Sequence, residues 1–283
     1  MQGAEVAEGY RHQRPDFGQD ANPLAVAMAE QERQTLAMVQ QALKSGRMRL
    51  AYQPVVLGSD PTRIAFHEAL IRILDETGRI IPARDFMPVA ETRELGREID
   101  CAALDMGLKA LARHAGLRLS VNMSARSIGY PRWMRVLRHG LALGPTVGER
   151  LILEITENSA MLVPEIVIAF MDDLQAKGVA FALDDFGAGY TAFRYLKEFF
   201  FDIVKIDGQF IRGIHTDPDN QVLTRALVSI GQQFEMLTIA ESVECVEDAQ
   251  FLQQIGVNCL QGYLFGAPTL KPDFLQETRR KRA

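Results

Sequence analysis

The sequence has little cysteine: Cys101, Cys245 and Cys259 are the only three in 283 residues, and no two form a C-x-x-C pair. An odd, scattered set offers neither a disulfide framework nor a structural zinc site, and it fits a reducing, cytoplasmic compartment. Long apolar runs are also missing. No window approaches the 18 or so consecutive apolar residues of a membrane span. The first residues, Met1 to Asp20, are polar and lack the apolar core of a signal peptide. The chain as it stands therefore reads as neither exported nor membrane-spanning. Positive charge is in deficit: 31 Lys and Arg stand against 36 Asp and Glu, for a net charge of -5. That balance argues against binding duplex nucleic acid through its phosphates. A small anionic ligand would need local help, from a metal or a few cations.

What is present describes an ordinary globular protein. Apolar residues make up 47% and charged residues 24%, which disfavours disordered, collagen-like and coiled-coil classes. The length allows two small domains or one α/β barrel of about 250 residues. Residues 1–23 carry Gly3, Gly9, Pro15, Gly18 and Pro23 without periodicity and read as a flexible leader. Residues 24–46 read as a linker helix, with Leu24, Met28, Leu36, Val39 and Leu43 as a partial apolar stripe and Gly46 as the stop. Residues 47–283 form the main unit. Within it, β-rich runs at 48–56, 64–73, 117–123, 150–156, 179–184, 202–206, 236–241 and 257–261 alternate with helical patterns at 82–94, 98–115, 131–143, 164–177, 219–234 and 246–255. Eight strands in β/α order predict a TIM-like (β/α)8 barrel. Only the first two strands lack an intervening helix. Their link, Leu57 to Pro61, is tight and turn-rich, so the first strand is expected to run antiparallel to the second.

The ends of strands two to eight carry Glu68 with Arg72, then Asn122, Glu154, Asp184, Lys205, Glu241 and Gln261. Barrel enzymes collect their catalytic groups at that face from several strands, so the series resembles a catalytic mouth. Parity agrees with this. In the fourth run Leu151, Leu153 and Ile155 share one face, while Glu154 lies on the other with Ile152 and Thr156. Any one such residue taken alone reads more readily as a solvated strand exit; seven strands together do not. So many carboxylates in one mouth repel one another unless cations neutralise them, and an all-oxygen donor set suits Mg²⁺ or Mn²⁺ better than Zn²⁺.

Adjacent strand residues point to opposite faces, so Asp184 and Asp185 converge only if the chain turns, and Phe186-Gly187-Ala188-Gly189 offers the turn. Such a pair can bridge two cations about 3.5–4 Å apart, an arrangement suited to in-line attack on a phosphodiester; a plain Asp-rich loop is the alternative. Lys205 shares parity with Asp207 and needs an anionic partner. It could orient water, stabilise a transferring phosphate, or form a structural ion pair. Arg72 shares parity with Glu68 and can either reach a phosphate or close a rim salt bridge. His67, His114, His139 and His215 have no partner at metal-ligand spacing and read as core or surface groups. Trp133 reads as packed in a helix. Tyr190, Phe193 and Tyr195 fit the core side of a short helix better than a base-stacking platform.

These residues resemble the EAL family of cyclic diguanylate phosphodiesterases from about Met48 to Pro268. The likeness is carried by Tyr52-Gln53-Pro54-Val55-Val56, Glu68-Ala69-Leu70-Ile71-Arg72, Ser120-Val121-Asn122-Met123-Ser124 and Leu153-Glu154-Ile155-Thr156-Glu157. It continues through Asp184 to Tyr190, Val204-Lys205-Ile206-Asp207, Ala240-Glu241-Ser242-Val243-Glu244 and Gln261-Gly262-Tyr263-Leu264-Phe265. Each piece is short; their order and spacing along the whole barrel make the resemblance specific.

The resemblance implies metal-dependent hydrolysis of one phosphodiester bond of cyclic di-GMP, giving linear pGpG in bacterial second-messenger signalling, with two Mg²⁺ or Mn²⁺ ions. By the same likeness Glu68, Asn122, Glu154 and Asp184 would hold the first ion, with Asp184 shared and Asp185 holding the second. Glu241 would sit beside the second ion or act as general base, Lys205 and Gln261 would hold the attacking water, and Arg72 with the Leu70 backbone would bind the substrate phosphate. Glu157 would anchor the loop after Asp185 and Glu244 would support the last strands. A homodimer contact at that loop and an upstream sensor or signalling domain also follow from the likeness. Three positions depart from the family pattern: Ser242 replaces a usual glycine, Ala267 a basic residue, and the segment Glu91-Thr92-Arg93-Glu94 lacks its glycine. A receptor that binds cyclic di-GMP without cutting it is the alternative, although such members have usually lost ligands that this chain keeps. An enolase-type barrel would need a larger capping domain than fewer than fifty preceding residues provide, and a purely structural barrel leaves the clustered acids unexplained.

Overall fold

A computed structural model describes residues 23–189 and 196–275. The leader, apart from Pro23, and the aromatic residues Tyr190, Phe193 and Tyr195 lie outside the described residues. The chain enters through helix α1 (Pro23–Lys44). Only its second half engages the core: Val39 and Ala42 are fully buried, whereas Leu24, Val26 and Met28 stay exposed.

Strands β1 (Met48–Leu57) and β2 (Asp60–Leu74) follow as an antiparallel hairpin. A short strand β3 (Ile80–Pro82) pairs antiparallel on β2. Then come β4 (Leu119–Asn122), β5 (Leu151–Thr156), β6 (Ala180–Phe186), β7 (Ile203–Ile206), β8 (Leu237–Ala240) and β9 (Cys259–Leu260). The order β1-β9-β8-β7-β6-β5-β4-β2, with β1 paired again to β2, closes a ring of eight strands in which β1 alone runs against its neighbours. The fold is thus the TIM-like barrel with an antiparallel first strand. The ring's closing seam is thin. β1 meets β9 only at Val56↔Leu260 and Leu57↔Cys259, whereas its register with β2 runs from Met48↔Ile73 to Leu57↔Asp60.

Helices α3 (Glu94–Arg113), α4 (Pro131–Leu141), α5 (Glu157–Ala160), α6 (Pro164–Gln175), α7 (Pro218–Gln233) and α8 (Val246–Gln254) belong to the connections between the parallel strands. The single helix expected over 82–94 is instead a 3₁₀ turn, Ala83–Asp85, then the one-turn α2 (Met87–Ala90), before α3 begins. Phe86 (φ -133°) and Arg93 (ψ 170°) leave helical backbone at the two breaks. A side chain at Gly96 would stand 2.8 Å from the Glu91 backbone, so this corner closes only with glycine.

Strand parity sorts the core into two layers. Leu151, Leu153 and Ile155 join Trp133, Phe170 and Phe181 in the cluster between strands and helices. Val55, Phe66, Ile152, Ala182, Ile203, Ile239 and Cys259 form a separate cluster, one residue from each of seven strands, that fills the ring itself.

Candidate active site

The catalytic mouth lies one pleat above that inner layer. Two residues beyond Phe66, Ile152, Ala182, Ile203, Ile239 and Cys259 stand Glu68, Glu154, Asp184, Lys205, Glu241 and Gln261. Side chains two apart on a strand share a face, so each apolar plug is succeeded by a polar group facing the same axis. β1 runs the other way, and there the corresponding residue comes two before Val55: it is Gln53.

Lys205, 1% exposed, is the centre of the constellation. Its Nζ lies 2.6 Å from Glu241 Oε1, 3.1 Å from Asp184 Oδ1, 3.1 Å from Glu154 Oε2 and 3.5 Å from Glu68 Oε2. Burial alone would lower the lysine's pKa, but Asp184, Glu154, Glu241 and Glu68 hold it well above its ordinary value. Amides complete the ring. Gln261 Nε2 donates to Glu68 Oε2 at 2.6 Å and to Gln53 Oε1 at 3.3 Å, while Asn122 Nδ2 donates to Glu68 Oε1 at 2.9 Å. Burial would raise Glu68, yet Lys205 and these two amides hold its carboxyl below the usual range. Asn122 thereby keeps its carbonyl oxygen as the group it can offer a cation.

Asp184 and Asp185 do converge, by a different device from the glycine-rich turn. β6 continues through Phe186, and Asp185 itself takes a left-handed backbone (φ 57°) at a break in the β6–β7 register between Leu183 and Phe186. This β-bulge turns the second carboxylate back toward the first, and Asp is one of the few residues that tolerates such a backbone. Oxygens of Asp184, Asp185 and Glu241 lie within 4.8 Å of one another.

The donor set fits divalent cations. Four carboxylates, Glu68, Glu154, Asp184 and Glu241, surround one lysine, and Asp185 joins Asp184 and Glu241 beside them. Burial, then Glu68, pushes Glu154 up to about 8; burial, then Asp184 and Asp207, pushes Asp185 up to about 6; burial raises Glu241 well above a normal carboxyl. Such a group is fully ionised at neutral pH only with more positive charge than Lys205 supplies. Glu154 Oε1 is buried without a hydrogen-bond partner, as an oxygen reserved for a cation would be.

The mouth opens into a cavity of about 590 Å³. Leu70 lines it; Arg72 is not among its lining residues, and its Nη1 turns back to the Ile71 carbonyl at 2.9 Å. Arg84 lines that side. Glu157, 1% exposed, accepts the Gly187 N–H at 3.2 Å and so holds the loop after Asp185. Glu244, expected under the last strands, stands at the rim with its side chain 54% exposed, 3.8 Å from Arg212. The tie to β9 is made by the neighbouring backbone, Val243 N donating to Gln261 O at 3.0 Å.

The sequence assigned no role to Gln53 or Arg212 and marked Ser242 only as a departure from the family glycine, yet all three stand at the mouth. Ser242 replaces the family's glycine yet keeps a left-handed backbone (φ 56°), and its Oγ accepts from Arg212 at 2.9 Å. His215 lies at the surface as expected and meets partners that no local spacing could reveal: Asp248, 33 residues on, lies 2.7 Å from its ring nitrogen, and Cys245, 30 residues on, 4.0 Å.

The family model described as EAL domain matches residues 36–268. The bifunctional diguanylate cyclase/cyclic di-GMP phosphodiesterase MucR of Pseudomonas aeruginosa is 33% identical over 86% of this chain and 36% of its own length. The cyclic di-GMP phosphodiesterase PdeF of Escherichia coli is 30% identical over 84% of this chain and 32% of its own. The chain therefore spans about a third of these curated relatives. Among solved structures, the MucR phosphodiesterase in complex with c-di-GMP superposes with a TM-score of 0.76 at 32% identity, covering 83% of this chain and 97% of that one. The FimX EAL domain of P. aeruginosa bound to c-di-GMP gives 0.74 at 28% identity, over 83% and 96%. Divalent-metal use is implied by the family and matches the oxygen-only donor set at the mouth. With its barrel, its reversed first strand and its ring of strand-end acids, the chain belongs to the EAL domain family.

Proposed function

We propose that this chain hydrolyses one phosphodiester bond of cyclic di-GMP to give linear pGpG, using two Mg²⁺ or Mn²⁺ ions. The observation that carries the reading is the four carboxylates paired with Lys205 at the barrel's strand ends, with Asp185 beside Asp184 and Glu241. The names of MucR and PdeF supply the substrate class. The unit responsible is residues 47–283, with α1 as a linker whose last turns dock through Val39 and Ala42. A cytoplasmic homodimer joined to an upstream sensor or signalling domain completes the proposal.

Glu68, Asn122, Glu154 and Asp184 would hold one ion, and Asp184 with Asp185 the other. When bound, the ions supply Lewis acidity and a water that ionises near neutral pH. Lys205 keeps a positive charge in the mouth and holds the attacking water, which Gln261 helps to orient. Glu241, beside Asp184 and Asp185, would take that water's proton or help hold the second ion. The Leu70 backbone and Arg72, once its guanidinium swings from Ile71, fix the phosphate for in-line attack. The bond to one ribose oxygen breaks, and that oxygen takes up a proton.

The test is incubation of purified protein with cyclic di-GMP and Mg²⁺ or Mn²⁺, with an EDTA control, followed by chromatography. Metal-dependent pGpG supports the reading. Glu241→Ala then loses about 10²–10⁴-fold in rate while binding nucleotide; a variant as fast as wild type removes Glu241 from the mechanism. Tight binding without product would make the chain a receptor.

A further inference from the structure

A second constellation of metal-binding groups lies outside the mouth, between the loops that follow β7 and β8. His215 sits in the 3₁₀ turn Ile214–Thr216, Cys245 is the N-cap of α8, and Asp248 lies in the first turn of that helix. His215 Nδ1 is 2.7 Å from Asp248 Oδ1 and 4.0 Å from Cys245 Sγ, and one donor atom from each of the three residues lies within 4.8 Å of the others. Asp248 is 2% exposed, and its carboxylate is fixed by the backbone: Oδ1 accepts from His215 N and Oδ2 from Gly213 N, both at 3.0 Å. His215 and Cys245 are partly open to solvent, which leaves an entry path.

We propose that His215, Cys245 and Asp248 form a Zn²⁺ site, chemically distinct from the oxygen-only set in the mouth. Thiolate and imidazole donors select zinc over Mg²⁺ and Mn²⁺, which prefer carboxylates and water. Bonds of about 2.0–2.3 Å in a tetrahedral shell set ligand atoms roughly 3.3–3.6 Å apart. The His215–Asp248 contact is shorter than that and the Cys245–His215 contact longer, so shifts of about half an ångström accommodate the ion. On binding, the Cys245 thiol releases its proton, and His215 coordinates through Nδ1 with its remaining proton on Nε2. The ion then replaces the His215–Asp248 hydrogen bond as the link between the two loops. Cys245 follows Glu241 by four residues, so the ion would brace the segment that carries a mouth carboxylate.

The experiment uses the full chain, stripped of metal and held in excess Mg²⁺ so that the mouth is supplied separately. Titration with Co²⁺ should give one equivalent with a thiolate-to-cobalt charge-transfer band, and Zn²⁺ should abolish the band by displacement. That band reports on Cys245, because the other two cysteines, Cys101 and Cys259, are buried. In Cys245→Ser the band should vanish, and Zn²⁺ affinity, measured against a chromogenic chelator, should fall by at least the roughly 10–100-fold that loss of an outer-shell partner costs. Serine is a favoured N-cap, so this variant keeps the start of α8. His215→Ala should lose zinc affinity as well. A wild type without the band, a band that survives in Cys245→Ser, or unchanged zinc affinity in both variants would overturn the proposal.

Discussion

Asp100, 6% exposed on α3, provides a prediction whose size follows from its surroundings. Its Oδ2 accepts from Ser127 Oγ at 2.6 Å and from Ser124 N at 3.0 Å, anchoring the loop that leaves β4 just after Asn122. Burial outweighs those two donors and pushes the carboxyl up to about 6. In the unfolded chain it titrates near 3.9. A raised folded value means that the group's contribution to stability is fully present below about pH 4 and is lost as pH rises through about 6. The full difference of about 2 pH units corresponds to about 3 kcal/mol. Between about pH 4.5 and 7.5 the loss is about 2 kcal/mol. Asn is nearly isosteric, its oxygen can accept both hydrogen bonds, and it does not titrate. Denaturant unfolding of wild type and Asp100→Asn at those two pH values isolates the effect, because all other titrations cancel in the difference. The stability of the variant relative to wild type should rise by about 2 kcal/mol toward the higher pH. Parallel stabilities at both pH values would refute a carboxyl held protonated by burial.

Two further outcomes are expected. In Gly262→Ala the new Cβ would meet the Val243 backbone oxygen within 2.0 Å and its nitrogen within 2.3 Å, and neither can move aside cheaply. Thermal unfolding should show a loss of at least about 2 kcal/mol, and an unchanged melting temperature would mean that the segment beyond Glu241 yields freely. Lys205→Met removes the cation that, among the described residues, pairs with Glu68, Glu154, Asp184 and Glu241, and should cost about 3–5 kcal/mol in EDTA, with much of it restored by Mn²⁺; equal loss with and without metal would show that Lys205 is not the charge partner of the acids.

Much of the architecture was legible because alternation in a strand is an unusually direct code. The apolar plugs and polar successors of β2 and β5 to β9 could be read as pairs two residues apart, and these pairs located most of the mouth. The same rule hid Gln53, since it places the polar residue after the plug only when strands run alike, and β1 runs backward. The bulge at Asp185 was unreadable for another reason. Its left-handed backbone is set by packing of β6 against β7, and the neighbouring glycines offered a plausible but different place to turn. Residues 82–94 carry a helical pattern that the addition of β3 to β2 and the close approach at Gly96 break up, both tertiary effects. The grouping of His215, Cys245 and Asp248 depends on two loops meeting at the barrel's end, and sequence spacing holds no trace of it.

The thin seam between β1 and β9 acquires a meaning from the side chains that cross it. With only two residue pairs in its ladder, the ring is fastened there by the Tyr52–Thr269 backbone bridge and by the site itself: Gln261 donates to Gln53 across 208 residues of chain, and Gln53 donates in turn to the Gly266 carbonyl at 3.1 Å. Joining such distant segments carries a large loop-closure entropy. The clasp of the barrel and the floor of its mouth are thus one object. A ligand that orders Gln261 also tightens the hoop, and slower amide exchange along β1 and β9 would be the mechanical signature of an occupied mouth.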